Sequence, residues 1–200
     1  GLWHEHGHDG NEPVIWLDVL DLPIVHYLET SYHVNGERQV VLSGRSDAVY
    51  ARGGLVPTPV FQRSSKPYPM LRYPWVEARS ALLALGQEMP AQDAAQITYS
   101  NPETGGDAQN ILGFYALMLR PGQTLQFPAR SPALVMHQIE GAVQVTVQDQ
   151  VFALSEGDTC CAPGYTPVQL CNRSATAPAF LFMADEAPLH KKLGLYEERV

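Results

Sequence analysis

From residue 96 to residue 184 short apolar runs alternate with glycine, proline, asparagine and aspartate, and the runs are too short for helices of ordinary length. The pattern predicts strands over 96–99, 112–119, 133–140, 142–148, 151–154, 159–162, 168–172 and 179–184, the cadence of a small β-barrel. Before it, residues 75–85 repeat apolar side chains at helical spacing between Pro74 and Gly86, which predicts a helix ending at the glycine. Residues 188–193 read as a last helical turn stopped by Gly194. Near the amino end, 12–19 is rich in β-branched and aromatic residues and predicts a strand carrying Trp16 and Asp18 on one face; 22–28 suits a helical turn with Asp21 as its cap. Residues 35–68 mix glycine, proline and charge without period and read as a long connection. No solenoid repeat or low-complexity tract interrupts this order.

Two hundred residues with 45% apolar side chains are enough to bury a core, which argues against disorder. The net charge of −8 comes from 21 acidic and 13 basic residues without a basic block, which disfavours nucleic acid as a partner. No apolar run approaches the roughly 20 residues that span a bilayer. Cys160, Cys161 and Cys171 lack a Cys-x-x-Cys spacing and read as buried, reduced thiols of a cytoplasmic protein. Gly1-Leu2-Trp3-His4 has neither an initiator methionine nor a leader pattern and reads as a cut edge.

Candidate chemistry is concentrated in His4-Glu5-His6-Gly7-His8. In an extended segment the three imidazoles point one way, and neutral imidazole is a common ligand of iron and other divalent metals. A solvated His-rich loop is the plain alternative, as a core tryptophan and a strand-end aspartate are for Trp16 and Asp18.

The run His4-Glu5-His6-Gly7, followed by Asn11-Glu12-Pro13-Val14-Ile15-Trp16-Leu17-Asp18 and Leu20-Asp21-Leu22-Pro23, resembles the end of the catalytic cupin in the gentisate 1,2-dioxygenase family, which includes salicylate and 1-hydroxy-2-naphthoate 1,2-dioxygenases. Leu71-Arg72-Tyr73-Pro74-Trp75, Tyr99-Ser100-Asn101-Pro102-Glu103-Thr104-Gly105-Gly106 and Lys192-Leu193-Gly194-Leu195-Tyr196 resemble the same family's inter-domain helix, second-cupin entry and tail, in the same order. The resemblance implies a mainly β bicupin of double-stranded β-helix, jelly-roll type: the end of an N-terminal catalytic cupin over 1–34, a connection over 35–95 with a helix at about 75–86, a complete C-terminal cupin over 96–186, and a tail helix over 187–200. It implies Fe(II) as cofactor and His4 as one of three iron-binding histidines. His6 would lie beside the substrate hydroxyl, able to share its proton, and Trp16 and Asp18 would form the substrate wall; His8 has no counterpart. The implied reaction is dioxygen-dependent cleavage of gentisate to maleylpyruvate, or of a related hydroxylated aromatic acid, in a homotetramer or dimer.

The departures matter equally. The family's His-x-His pair and its carboxylate-binding arginines do not follow Asp9, and the resemblance places them upstream of Gly1. In the second barrel a metal-binding cupin carries ligands at 127–134 and near Pro167 or Val168, where this sequence has neither histidine nor carboxylate, so that barrel is expected to be metal-free. His137 reads as a satisfied core or surface imidazole. Arg72, Arg79 and Arg130 are cations available to an anionic substrate. A non-catalytic cupin module, or a fragment lacking the rest of its metal site, stays open as the alternative, while a cupin isomerase would need a full ligand set inside one barrel.

Overall fold

The structure is a computed structural model that describes residues 7, 8, 10–32, 34–36, 52, 53, 55, 58, 72–102 and 104–199. The chain divides into two units, 1–47 and 48–200.

In the first unit, helix α1 (Leu22–Tyr27) begins with Pro23 in its first turn, where the missing N–H costs nothing. Asp21 caps it differently from the expectation. Its side chain makes no cap hydrogen bond, and its backbone carbonyl instead accepts from the N–H groups of Ile24 (3.1 Å) and Val25 (3.3 Å). The strand expected over 12–19 is not formed: residues 13–20 lie outside any β-ladder, because an extended segment becomes a strand only where a neighbour completes its hydrogen bonds.

Within the second unit, helix α2 (Trp75–Glu88) starts after Pro74 as expected but runs past Gly86. Gly86 lies inside the helix rather than at its end. A Cβ at residue 86 would collide with the Met118 side chain, and the Gly86 carbonyl accepts from Nη2 (2.9 Å) and Nε (3.2 Å) of Arg120. Eleven strands follow: β1 (Ala95–Thr98), β2 (Gly113–Leu119), β3 (Thr124–Phe127), β4 (Ala129–Arg130), β5 (Leu134–Glu140), β6 (Val143–Val147), β7 (Gln150–Leu154), β8 (Thr159–Ala162), β9 (Val168–Cys171), β10 (Ala179–Asp185) and β11 (Glu198–Arg199), with helix α3 (Ala187–Leu193) between the last two. Gly194 ends α3 in the left-handed conformation.

The strands form a five-stranded sheet, β1-β2-β10-β5-β8, a four-stranded sheet, β3-β9-β6-β7, and the small pair β4-β11, all with antiparallel neighbours. Leu117, Leu119, Met136, Leu181 and Met183 of the first sheet pack with Val145, Val168 and Leu170 of the second in the barrel core. The outer face of the first sheet is covered by α2, whose Leu82 packs with Ala95, Ala116, Met118 and Phe180. Strands β2 and β10 are thus apolar on both faces, which is why their sequences read as continuous runs while β5 and β6 alternate.

Three strands, β3, β4 and β11, were not among the expected ones; they are short, and polar or charged residues occupy half or more of each. The cysteine expectation is corrected in one respect. All three thiols are free, but only Cys160 is buried; Cys161 is exposed because successive strand residues face opposite sides, and Cys171 is half-buried.

Between β8 and β9, Gly164 presses on the chain before β5. An added Cβ would lie 2.5 Å from the Ser131 carbonyl oxygen, a backbone atom that cannot swing aside. Gly164→Ala is expected to cost about 1–3 kcal/mol by overpacking, read as a lower urea midpoint with unchanged m-value.

Candidate functional site

His4 and His6, the expected iron ligand and proton-handling group, lie outside the described residues. The segment that follows them is described from Gly10 onward, with Gly7 and His8 before it. His8 Nε2 lies 2.6 Å from the Glu12 carbonyl oxygen, so the ring donates from that nitrogen and closes a turn ahead of Pro13. The residue before a proline is held extended, which keeps the accepting carbonyl in place. Trp16 and Asp18 then follow two residues apart on this stretch, which lies outside any β-ladder, and both are exposed, Trp16 by 53%. Their neighbours Val14, Ile15, Leu17 and Leu20 are exposed as well.

The resemblance assigns this chain one iron-binding histidine, His4, whereas a facial triad needs three ligands. Among the described residues no group of three His, Cys, Asp or Glu side chains could hold a metal ion. The described part of the chain therefore does not by itself fit a ferrous ion.

In the barrel, the window 127–134 carries something else. Arg130, on β4, points its Nη1 to within 3.4 Å of Asp185 Oδ2. The Asp185 side chain is fully buried, and its Oδ1 accepts from Tyr115 Oη (3.1 Å) and from the Ala187 backbone N–H (3.0 Å). Burial pushes the Asp185 carboxyl above its ordinary range, against the opposing pull of the Ala187 N–H and the Arg130 charge. The Tyr115 phenol is pushed well up, first by burial and then by the Asp185 charge. A charge pair with a phenol thus occupies the part of the barrel where ligands were sought. In the sequence Arg130 is a cation without a set place, and Asp185 looks like the polar end of an apolar strand. Val168 is buried in the core, and His137 faces away from it, with Nδ1 2.9 Å from Thr159 Oγ1.

Arg79 is likewise engaged within the fold. Its Nε donates to Glu140 Oε2 at 2.8 Å and its guanidinium lies 5.0 Å from the Phe180 ring centroid, while Trp75 Nε1 donates to Glu140 Oε1 at 2.6 Å. Burial pushes the Glu140 carboxyl up, but hydrogen bonds from Arg79 and Trp75 and the Arg79 charge outweigh it and hold it below the ordinary carboxylate range. A carboxylate so lowered adds stability above its unfolded pKa and loses it as pH falls through the native value. Glu140→Gln is therefore expected to cost about 1 kcal/mol near neutral pH, discounted because the pair is one-third exposed or more. Urea midpoints of the two proteins should converge as the solution is acidified.

No family model matches the chain. Over 199 residues, however, it is 66% identical to gentisate 1,2-dioxygenase of Ralstonia sp, covering 100% of this chain and 56% of that protein. It is 28% identical over 202 residues to 5-aminosalicylate 1,2-dioxygenase of Comamonas sp, covering 100% of this chain and 54% of the relative. The chain spans about half the length of the curated relatives it matches. Among solved structures, salicylate 1,2-dioxygenase from Pseudoaminobacter salicylatoxidans with gentisate superposes with a TM-score of 0.76 at 24% identity, covering 90% of this chain and 51% of that one, which speaks for the fold. The mainly β, cupin-type architecture expected from the sequence is thus shared with that enzyme. Along nearly its whole length this chain is similar in sequence to a gentisate 1,2-dioxygenase and, more distantly, to aminosalicylate and naphthoate 1,2-dioxygenases.

Proposed function

We propose that this chain is part of a ring-cleaving dioxygenase that uses Fe(II) and dioxygen to open gentisate, giving maleylpyruvate, or to open a related hydroxylated aromatic acid. The observation that carries the reading is the 66% identity to a gentisate 1,2-dioxygenase over the whole chain. In such an enzyme ferrous iron supplies the site at which dioxygen meets the ring. From this chain, His4 would donate one imidazole to the metal, completed by ligands from the remainder of a full-length protein. His6 would take or share the proton of the substrate hydroxyl, since an imidazole titrates close to neutral pH and can do so without a strong base. Trp16 would offer an aromatic face to the ring, and Asp18 an acceptor that orients a histidine or a substrate hydroxyl.

The barrel would serve as an assembly module, in a homotetramer or dimer. The enzyme is proposed to be cytoplasmic; no helix among the described residues is long and apolar enough to cross a membrane. The test is oxygen uptake by the native protein, loaded anaerobically with Fe(II) and offered gentisate, salicylate or 1-hydroxy-2-naphthoate in turn. Uptake with at least one of them is expected, and fastest with gentisate. Iron-replete protein that consumes no oxygen with any of the three would remove the assignment and favour a non-catalytic module.

A further inference from the structure

Asp185 stands at the root of the chain's last segment. Its Oδ1 receives the Ala187 N–H at the start of α3, and its Oδ2 faces Arg130 on β4. Strand β4 is also what the far end of that segment pairs with: Glu198 lies opposite Arg130 and Arg199 opposite Ala129. The pairing is continued by Ser131, whose N–H donates to the Glu197 carbonyl at 2.8 Å and whose Oγ accepts from the Glu197 N–H at 3.1 Å. Tyr165 adds a hydrogen bond from its hydroxyl to Glu197 Oε2 (3.0 Å), and the Arg199 guanidinium sits 4.5 Å from its ring centroid. Residues 197–199 thus form a strap held on β4 and the adjoining Ser131, and one buried carboxylate touches both the start of α3 and the strand that anchors the strap.

That carboxylate is unevenly satisfied. Oδ1 has two donors, whereas Oδ2, among the described residues, has no hydrogen-bond partner and only the Arg130 charge at ion-pair distance. A buried acceptor left in this way favours taking a proton. The charged and titratable groups around it are Tyr115 from β2, Arg130 from β4 and the adjacent Glu186, whose Oε1 accepts the Ala133 N–H; Asp107 acts on Tyr115 from the loop before β2. Arg130 is the cation among them.

We propose that Asp185 is a proton-operated latch: ionised, it holds Arg130 and with it the β4-β11 pairing, and on protonation it releases Arg130 while keeping Tyr115 and the first turn of α3. No bond other than O–H is made. The Arg130 side chain, already 20% exposed, turns to solvent, and the strap loosens. The raised native pKa of Asp185 fixes the sign for folding as a whole. The contribution of this group to stability is full below the pKa of an unfolded aspartate and is lost as pH rises through the native value, so acid loosens the strap without Asp185 unfolding the barrel.

The test is a titration of the native protein by NMR from about pH 7.5 to about pH 4.5, following the Asp185 carboxyl carbon, the Arg130 Nε–H and the backbone relaxation of Glu197, Glu198 and Arg199. The expected result is one shared midpoint, above that of an unstructured aspartate, at which the Arg130 signal moves and the strap becomes mobile on the nanosecond scale. Asp185→Asn, which imitates the protonated form, should show the mobile strap already at neutral pH and no further change. A strap that loosens with the midpoint of a group other than Asp185, such as Glu197, overturns the proposal. So does an Asp185 carbon that titrates with no movement of Arg130. The wild-type titration decides the matter even if the asparagine variant fails to fold.

Discussion

If the proposed dioxygenase reading holds, replacing His4 by alanine in the iron-loaded full-length protein is expected to lower ring-cleavage turnover by roughly a thousandfold or more, because losing one ligand of a facial set removes both the metal and the geometry it enforces. Its pair is His6→Ala, expected to lose about a hundredfold to ten-thousandfold, the usual range for a positioned acid–base group. The two are separated by metal content. His4→Ala should retain little iron after desalting, whereas His6→Ala should retain wild-type iron and change the pH dependence of turnover. If His4→Ala keeps its iron and its rate, that imidazole is not a ligand, and the resemblance of the His4-Glu5-His6-Gly7 run to a catalytic cupin end carries no chemistry here. Equal iron loss in both variants would instead make residues 4–6 a folding element.

How far the sequence carried depends on whether a feature is set locally or by a distant partner. Strand β5 was legible because Leu134, Met136 and Gln138 turn inward and the residues between them outward, a period of two that needs no tertiary knowledge. The start of α2 was legible from Pro74, but its end was not. Gly86 reads as a stop, yet the helix runs on to Glu88, with the Gly86 carbonyl accepting from Arg120 and the Met118 side chain beside its Cα, contacts made only once β2 is in place. The stretch around Trp16 has strand composition but no ladder, which composition cannot reveal. Asp185 closes an apolar run and looked like a strand end. Its burial is decided by Tyr115 and Ala187, one of them far away in sequence. Strand β11 is two charged residues whose pairing with Ala129 and Arg130 has no local signal at all. The candidate ligand His4 was found through ordered motif resemblance, not periodicity, which is why a mutational test must carry it.

Phe180→Ala is expected to destabilise the barrel unit by about 3–5 kcal/mol, the range for removing a large aromatic from a packed core. Phe180 is 1% exposed and sits where α2 meets the sheet, with Leu82, Ala95, Ala116 and Met118 around it. Trp75 meets its ring edge-on at 5.7 Å between centroids, an arrangement worth about 0.5–1.5 kcal/mol beyond buried area. Arg79, half-exposed above the same ring, adds less. The loss should therefore exceed that of an ordinary core truncation, because one deletion opens a cavity and also strips the helix of the ring that Trp75 and Arg79 both use. Glu140 would still hold both side chains by hydrogen bonds, so α2 should loosen rather than detach. Urea unfolding should show a much lower midpoint for Phe180→Ala, while Val151→Ala, at a position 57% exposed on β7, should stay within about 0.5 kcal/mol of wild type. A Phe180→Ala loss no larger than that control would mean that α2 does not stabilise the sheet it covers, and the two-faced burial of β10 would need another cause.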